Sequence, residues 1–352
     1  MKPTICREVV SVKKLNVAIL GATGAVGTEL LKVLESRKFP IGKLKLLALE
    51  VGTTVPFMGT DHVIEEASGE AFKDIQVAFF AGGPISKVMA PEAVKAGAIV
   101  IDNGSAFRLD PDVPLVVPEV NPEAVTRHNG IIANPNCSTI IMVLALNPIH
   151  KHAGLKRVIV STTQAVSGAG TAALQEMMTQ YKEVLEGREA IAKVLPVAAL
   201  KKHYPIAFNL IPQIDVFFDD GYTKEEMKLV LETQKIMSLP DLAVSATTVR
   251  GPVVRSHSEV INLETERKIT RAEARQILAQ APGVIVQDDP AQQVYPMPAF
   301  VAGRDEVFVG RIREDNTVPA GLSMWVVGDQ IRKGAALNAV QIAEQLIARK
   351  GL

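Results

Sequence analysis

Cysteine is scarce: Cys6 and Cys137 are the only two in 352 residues. Two thiols cannot build a disulfide framework for a chain of this length, and the scarcity suits a reduced, cytoplasmic setting. Surplus charge is missing as well, since 38 Lys and Arg offset 38 Asp and Glu. A neutral chain has no basic field to grip a phosphate backbone, which sets nucleic acid aside as a partner. Apolar runs such as Ile140–Leu146 and Val77–Ala81 are short against the roughly 18–20 residues that a membrane-spanning helix requires, so no membrane is expected. The first segment, Met1–Lys14, carries Lys2, Arg7, Glu8, Lys13 and Lys14. Lacking an apolar core and a small-residue cleavage site, it reads as a loose N-terminal extension and not as a secretory signal. The six histidines show no metal-ligand spacing. His150 and His152 lie two apart without a nearby Cys or carboxylate and read as solvated residues after a helix, and no metal is expected.

What is present is the composition of a globular protein, 47% hydrophobic and 22% charged, long enough for two domains at roughly 100–200 residues each. Leu15–Leu20, Lys43–Leu49, Val77–Phe80 and Ile99–Asp102 are apolar strand candidates, and Ala25–Arg37 and Ser86–Ala96 carry helical periods. Continuous apolar strands alternating with helices predict an α/β, doubly wound, Rossmann-type nucleotide-binding domain. The pattern changes after about Asn134. Longer alternating or β-branched strands follow at Arg157–Gln164, Leu242–Val249, Val260–Leu263, Val307–Arg313 and Leu322–Val327. The helices among them are chiefly Thr171–Leu185, Thr223–Met237 and Thr270–Ala281. This predicts an α+β domain with a mainly antiparallel sheet. Ile331–Arg349 reads as one helix with Leu337, Val340, Ala343, Leu346 and Ile347 along a single stripe. The predicted division is an extension over 1–14, a nucleotide domain from 15–133 and a second domain from 134–327.

Between the first strand and the first helix stands Gly21-Ala22-Thr23-Gly24-Ala25-Val26-Gly27. Glycines there let the backbone turn sharply and approach a pyrophosphate, whose charge rests at the helix N-terminus. The strand–loop–helix context makes this a dinucleotide site. Glu50, at the end of the second strand, is spaced to accept hydrogen bonds from a ribose 2′-OH, which favours NAD over a 2′-phosphate; it reads equally well as an exposed turn residue within Glu50–Thr54. Gly82, in the loop Ala81–Pro84 after the third strand, reaches the same sheet edge.

Asn134-Pro135-Asn136-Cys137-Ser138-Thr139 precedes the apolar run Ile140–Leu146. Pro135 keeps Asn134 out of a helix and Asn136 is a good N-cap, so Cys137 falls in the first turn. An unperturbed thiol is only about 3% ionised at pH 7. Free N–H groups and the helix dipole are expected to favour the thiolate and yield a nucleophile. Position alone also allows a buried, inert cysteine. Gln164 and the glycine-rich Ser167-Gly168-Ala169-Gly170 end one strand, and Arg250 through His257 follow another. They offer a guanidinium for a carboxylate and an imidazole for proton transfer. Singly, Gln164 is a satisfied sheet residue, Arg250 a salt-bridging strand end and His257 a surface or core histidine; together with the nucleotide loop and the capped cysteine they suggest a thiol enzyme that passes hydride.

With Ile101–Arg108, Val117–Asn121, Ile211–Asp215, Glu225–Lys228 and Lys333–Asn338, these motifs stand in one order from Leu15 to Leu352. The chain resembles the aspartate-semialdehyde dehydrogenases of bacterial type. The resemblance implies reversible phosphorylating oxidation of L-aspartate 4-semialdehyde to 4-aspartyl phosphate through a Cys137 thioester, running biosynthetically as the reductase toward lysine, threonine and methionine. It implies Cys137 as nucleophile, His257 as general acid/base and Gln164 as the group that orients substrate. Arg250 would take the α-carboxylate and Glu225 the amino group, with Arg108, Asn136 and Lys228 at the phosphate. Read without the resemblance, Glu225 and Lys228 are a surface helix pair worth roughly a few tenths of a kcal/mol. The family pattern also places Ser167, Gly168 and Gln330 beside the cofactor and returns 328–352 to the nucleotide domain. It further implies NADP, inorganic phosphate as co-substrate, and a homodimer or homotetramer built through the second domain.

Three positions depart from the family pattern. Leu49–Thr54 lacks the Ser and Arg usual around an NADP 2′-phosphate, which keeps NAD in play. Asp329-Gln330 replaces Asp-Asn, and Gly104 replaces a common Thr. Two other readings are an N-acetyl-glutamyl-phosphate reductase, whose cysteine usually lies in a Gly-Cys-Tyr-Pro-Thr run, and a non-catalytic dinucleotide-binding paralogue, which should have lost the thiol or the imidazole.

Overall fold

The computed structural model describes residues 14–48 and 51–350; Cys6, Glu50 and nearly all of the N-terminal extension lie outside the described residues. The first sheet contains β1 (Leu15–Leu20), β2 (Ile41–Ala48), β3 (Thr54–Phe57), β4 (Thr60–Glu66), β5 (Val77–Phe80), β6 (Ile99–Asp102) and β7 (Ile131–Ala133). Their order is β3-β4-β2-β1-β5-β6-β7, parallel throughout except for the β3/β4 pair. The alternation of β1 decides how the sheet is covered. Val17 and Ile19 point into one core with Leu30 and Leu34 of α1 (Ala25–Ser36), while Ala18 and Leu20 point into another with Ala90 and Ala93 of α2 (Ser86–Lys95). Successive side chains of a strand face opposite ways, so a central strand buried on both faces must be apolar throughout. The strand order reverses about β1, which opens a crevice at the C-terminal ends of β1 and β5.

The periodicity of 54–66 gave no strand, yet β3 and β4 form a hairpin turned by Met58 and Gly59, both at positive φ. Only Phe57 and Ile64 of its two strands are buried, because it lies at the sheet edge, where one face stays wet. β7 and β11 (Val284–Val286) are three-residue strands, too short for a periodic signal.

The second sheet runs β11-β12-β13-β10-β8-β9, with β8 (Leu155–Gln164), β9 (Ala243–Arg250), β10 (His257–Thr265), β12 (Val307–Asp315) and β13 (Gly321–Gly328). Its centre is antiparallel and its two outermost pairs are parallel. Against it lies α3 (Cys137–Ala153), buried on every side from Ser138 to Leu146. Val158, Val160, Ile261, Met324 and Val326 of the sheet share its core. A helix that is apolar all round has no solvent face to offer. α4 (Thr171–Leu185), α5 (Lys224–Met237), α6 (Arg271–Ala279) and the short α7 (Pro298–Val301) complete this half.

Two expectations need correction. His150 and His152 lie inside the last turn of α3 and not after it, and His150 Nδ1 accepts the Leu155 N–H at 3.2 Å; the polar end of α3 continues the hydrogen-bond ladder past the apolar run. The expected helix from Ile331 is two pieces: a π-helical turn over Arg332–Ala336, then α8 (Leu337–Lys350). Leu337, Val340, Ala343 and Leu346 of α8 pack into the core of the first sheet beside β1 and α1. Among the described residues no helix is long and apolar enough to cross a membrane.

Candidate active site

Three strand ends meet at one edge of the second sheet. β8 delivers Gln164, β9 places Arg250 opposite it in the parallel register, and β10 begins with His257 beside them. Cys137 arrives from the other direction on the first turn of α3. Asn136 caps that helix as expected, its Oδ1 accepting the N–H groups of Ser138 (3.0 Å) and Thr139 (3.2 Å). Its Nδ2 donates to Glu225 Oε1 at 2.9 Å. Thr223 and Glu226 form a capping box that starts α5 and aims Glu225 inward.

Cys137 Sγ lies 3.4 Å from His257 Nε2. The Ala165 N–H donates to His257 Nδ1 at 3.0 Å. A backbone N–H can only donate, so Nδ1 is unprotonated and the neutral ring carries its proton on Nε2, facing sulfur. Burial, and then the Arg250 guanidinium, push His257 down to about 3, with Glu225 opposing. The imidazole is therefore neutral.

The expected thiolate is not what this environment favours. Burial, reinforced by the Glu225 carboxylate, pushes the Cys137 thiol up to about 12 against the pull of Arg108, Arg250 and the Ser138 N–H. The expected free N–H groups of Ser138 and Thr139 are taken up by Asn136 Oδ1, and desolvation of the charged form outweighs what pull the Ser138 N–H retains. The pair is a thiol and a neutral imidazole.

Glu225 sits at the opposite extreme. Burial alone would raise it, but the Lys228 ammonium at 3.0 Å and donors from Asn136 and Gln164 together hold it at about 2. Gln164 Nε2 reaches Glu225 Oε1 at 3.1 Å, and Lys228 also pairs with Asp215 at 3.1 Å. Arg250 donates from Nη1 to Ala165 O at 2.8 Å, while its buried Nε has no partner among the described residues. Arg108 is fixed by Gly104 O, Asn103 O and Glu232.

Cys137, Gln164, Arg250, Glu225, Arg108, Asn136 and Lys228 thus line a single cleft of about 420 Å³, with His257 buried behind the thiol. Gly21, Thr23, Gly24, Ala25, Val26, Gly82, Ser167 and Gly168 line a second cleft of about 550 Å³ at the crevice of the first sheet. Ala22 and Gly27 lie beneath it, and a Cβ on Gly27 would stand 2.2 Å from Gly21 O. Gly168 borders both clefts, and a Cβ there would come within 3.1 Å of Arg250 Nη1 and His257 Cε1. Gln330 sits behind the second cleft with both ends of its amide engaged: Oε1 accepts the Ser256 N–H and Nε2 donates to Ser167 Oγ, each at 2.7 Å.

One residue escaped the sequence reading. Glu232, 1% exposed, holds Arg108 Nη1 at 3.0 Å through one oxygen and the Asn136 N–H at 2.6 Å through the other. It ties the guanidinium to the cap of the cysteine helix. The signal was available: Glu225, Lys228 and Glu232 are spaced i, i+3, i+7 and share one face of α5.

Residues 16–128 match the family described as semialdehyde dehydrogenase, NAD binding domain, and residues 146–333 match semialdehyde dehydrogenase, dimerisation domain. The aspartate-semialdehyde dehydrogenase of Bacillus subtilis is 55% identical over 94% of this chain and 97% of its own. Among solved structures, aspartate semialdehyde dehydrogenase II of Vibrio cholerae, complexed with ASA, superposes with a TM-score of 0.91 at 45% identity, covering 96% of this chain and 99% of that one. The Candida albicans aspartate semialdehyde dehydrogenase, solved with NADP, gives 0.73 at 25% identity over 97% of this chain and all of that one (100%).

Proposed function

The chain belongs to the aspartate-semialdehyde dehydrogenase family of NAD(P)-dependent, phosphorylating aldehyde dehydrogenases, and from that premise we propose how its own residues carry the reaction. Its activity is the reversible conversion of L-aspartate 4-semialdehyde, phosphate and oxidised cofactor to 4-aspartyl phosphate, used biosynthetically as the reductase. A reductase for N-acetyl-glutamyl phosphate and a non-catalytic paralogue are not favoured by these relatives.

Cys137 is the nucleophile. In the biosynthetic direction its sulfur attacks the acyl carbon, the S–C bond forms as the C–O bond to phosphate breaks, and the thiol proton leaves with the phosphate. Sulfur attacks as the thiolate, so the proton passes to the leaving phosphate oxygen as the S–C bond forms. The product is a thioester, which keeps acyl-transfer potential between the two half-reactions. A dinucleotide held in the second cleft would supply the hydride that reduces the acyl carbon. His257 donates an Nε2–H hydrogen bond to the oxygen that gains charge; as that oxyanion collapses to the aldehyde the C–S bond breaks and sulfur takes its proton from solvent, so the geometry supports the hydrogen-bond-donor half of an acid/base role. Arg250 pairs with the substrate α-carboxylate, Glu225 with its amino group, and Gln164 orients the acyl group beside sulfur. Arg108, Lys228 and Asn136 hold the phosphate.

The nucleotide cleft suits a dinucleotide. α1 is preceded by the N-cap Gly24, which offers no side-chain cap, and has no acidic residue in its first turn, so its N–H groups and dipole are available to a pyrophosphate. The missing Cβ of Gly27 keeps the loop closed against the helix. We assign NADP, in line with the Candida relative. The division into a nucleotide domain (15–133 with 328–352) and a catalytic domain (134–327) follows the two sheets and the packing of α8, and we assign a cytoplasmic homodimer.

The observation that carries this reading is the 3.4 Å contact between Cys137 Sγ and His257 Nε2 beside Gly168, which borders both clefts. Phosphate-dependent oxidation of the semialdehyde should vanish in Cys137→Ala; retention of roughly a tenth of the activity overturns the nucleophile assignment. The same assay with the two cofactors in parallel is expected to give the higher kcat/KM for NADP, and a preference for NAD would point back to Glu50.

A further inference from the structure

Two motifs take no part in that chemistry, Val117–Asn121 and Lys333–Asn338, and the structure joins them behind Cys137. Lys333 Nζ, on a side chain 1% exposed, donates to Glu119 Oε1 and Oε2 (2.9 and 2.7 Å), Asn338 Oδ1 (2.9 Å) and Gln341 Oε1 (2.7 Å). Asn338 Nδ2 continues to Val116 O at 3.0 Å and to Asn134 Oδ1 at 2.7 Å. Asn134 stands two residues before the Asn136 cap. The cluster therefore ties the π-helical turn Arg332–Ala336 to the segment that delivers the thiol.

On that turn Gly334 lies directly against the cysteine. A Cβ built on Gly334 would stand 2.9 Å from Cys137 Cβ, 3.2 Å from its Cα and 3.4 Å from its carbonyl oxygen. None of those atoms is the free end of a flexible side chain. Gly334 is not among the glycines at positive φ, so backbone conformation does not require it, and alanine is the better helix former. Close approach to Cys137 is the remaining reason for a glycine. π-Helical turns inside helices recur at functional sites.

We propose that Lys333, Glu119 and Gly334 are positioning residues for the nucleophile. The buried ion pair pins the π-helical turn, and the bare Gly334 backbone lets that turn seat against Cys137 and set its sulfur relative to His257. This rests on Cys137 being the nucleophile.

Gly334→Ala in the full-length enzyme tests it, through kcat, both substrate KM values, the thermal midpoint and the pH dependence of Cys137 alkylation by iodoacetamide. The expected result is a thermal midpoint within a few degrees of wild type, kcat lower by about tenfold or more, and KM within about twofold. The alkylation profile should move along the pH axis, which a purely structural role leaves in place. A folded variant with kcat within about twofold of wild type overturns the proposal. If Gly334→Ala does not fold, Glu119→Gln decides: it keeps the shape and an acceptor for Lys333 but removes the charge. A kcat reduced about threefold or more at unchanged KM supports the positioning role, and a wild-type kcat with a wild-type alkylation profile overturns it. Turnover by Cys137→Ala would instead sink the nucleophile reading, a distinct result.

Discussion

Replacing Glu225 with Gln measures what the charge cluster beneath the thiol contributes. Burial would raise this carboxyl, yet Lys228 and the donors from Asn136 and Gln164 leave it at about 2 against an ordinary 4.5. At about 1.4 kcal/mol per pKa unit, the difference stabilises the folded state by about 3 kcal/mol at neutral pH. The folded value is the lower one, so the contribution is complete above about pH 4.5 and disappears as pH falls through about 2; near pH 3 somewhat under about half remains. An amide in place of the carboxylate keeps an acceptor for Asn136 but no charge for Lys228. Urea unfolding at fixed protein concentration should show Glu225→Gln less stable by about 2–3 kcal/mol at pH 7, with the gap closing toward pH 3. A gap that stays constant from pH 7 to pH 3 would refute the electrostatic account and leave only lost packing or hydrogen bonding.

The Arg108–Glu232 pair gives a second test. Burial pushes the Glu232 carboxyl up in spite of Arg108, so the pair is not a large net stabiliser, but removing one partner leaves a buried charge alone. Glu232→Ala should cost about 3–5 kcal/mol in denaturant unfolding, and Glu232→Gln less, because its amide oxygen can still accept the Asn136 N–H; equal losses would remove the Asn136 contact from the account. The Cys137–His257 pair makes a kinetic prediction. With the imidazole neutral and the thiol raised, alkylation of Cys137 in the free enzyme should keep climbing with pH beyond 8 and show no inflection near the ordinary histidine value of about 6.5. A plateau below pH 8 would establish a thiolate–imidazolium pair instead.

Much of the fold was legible because its signals are local. The apolar β1, the glycine loop and the amphipathic α1 identify a nucleotide crevice from a run of some two dozen residues, since strand, turn and helix are each specified by neighbours in sequence. The Asn136 cap was readable for the same reason. Hairpin β3/β4 was not, because its exposed edge needs no apolar alternation, and neither was the break at Arg332–Ala336, because a π-helical turn keeps the composition of a helix.

Composition and local pattern name the chemical groups present and the short elements that carry them. Their charge is set by how those elements pack. A helix N-terminus argues for a thiolate at Cys137, and desolvation together with the Glu225 carboxylate argues harder against it. Burial depends on residues as distant in sequence as Cys137 and His257, so desolvation has no local signature. The same holds for Glu232, an unremarkable helix glutamate until the packing of α5 against α3 places it between Arg108 and the cap of the cysteine helix.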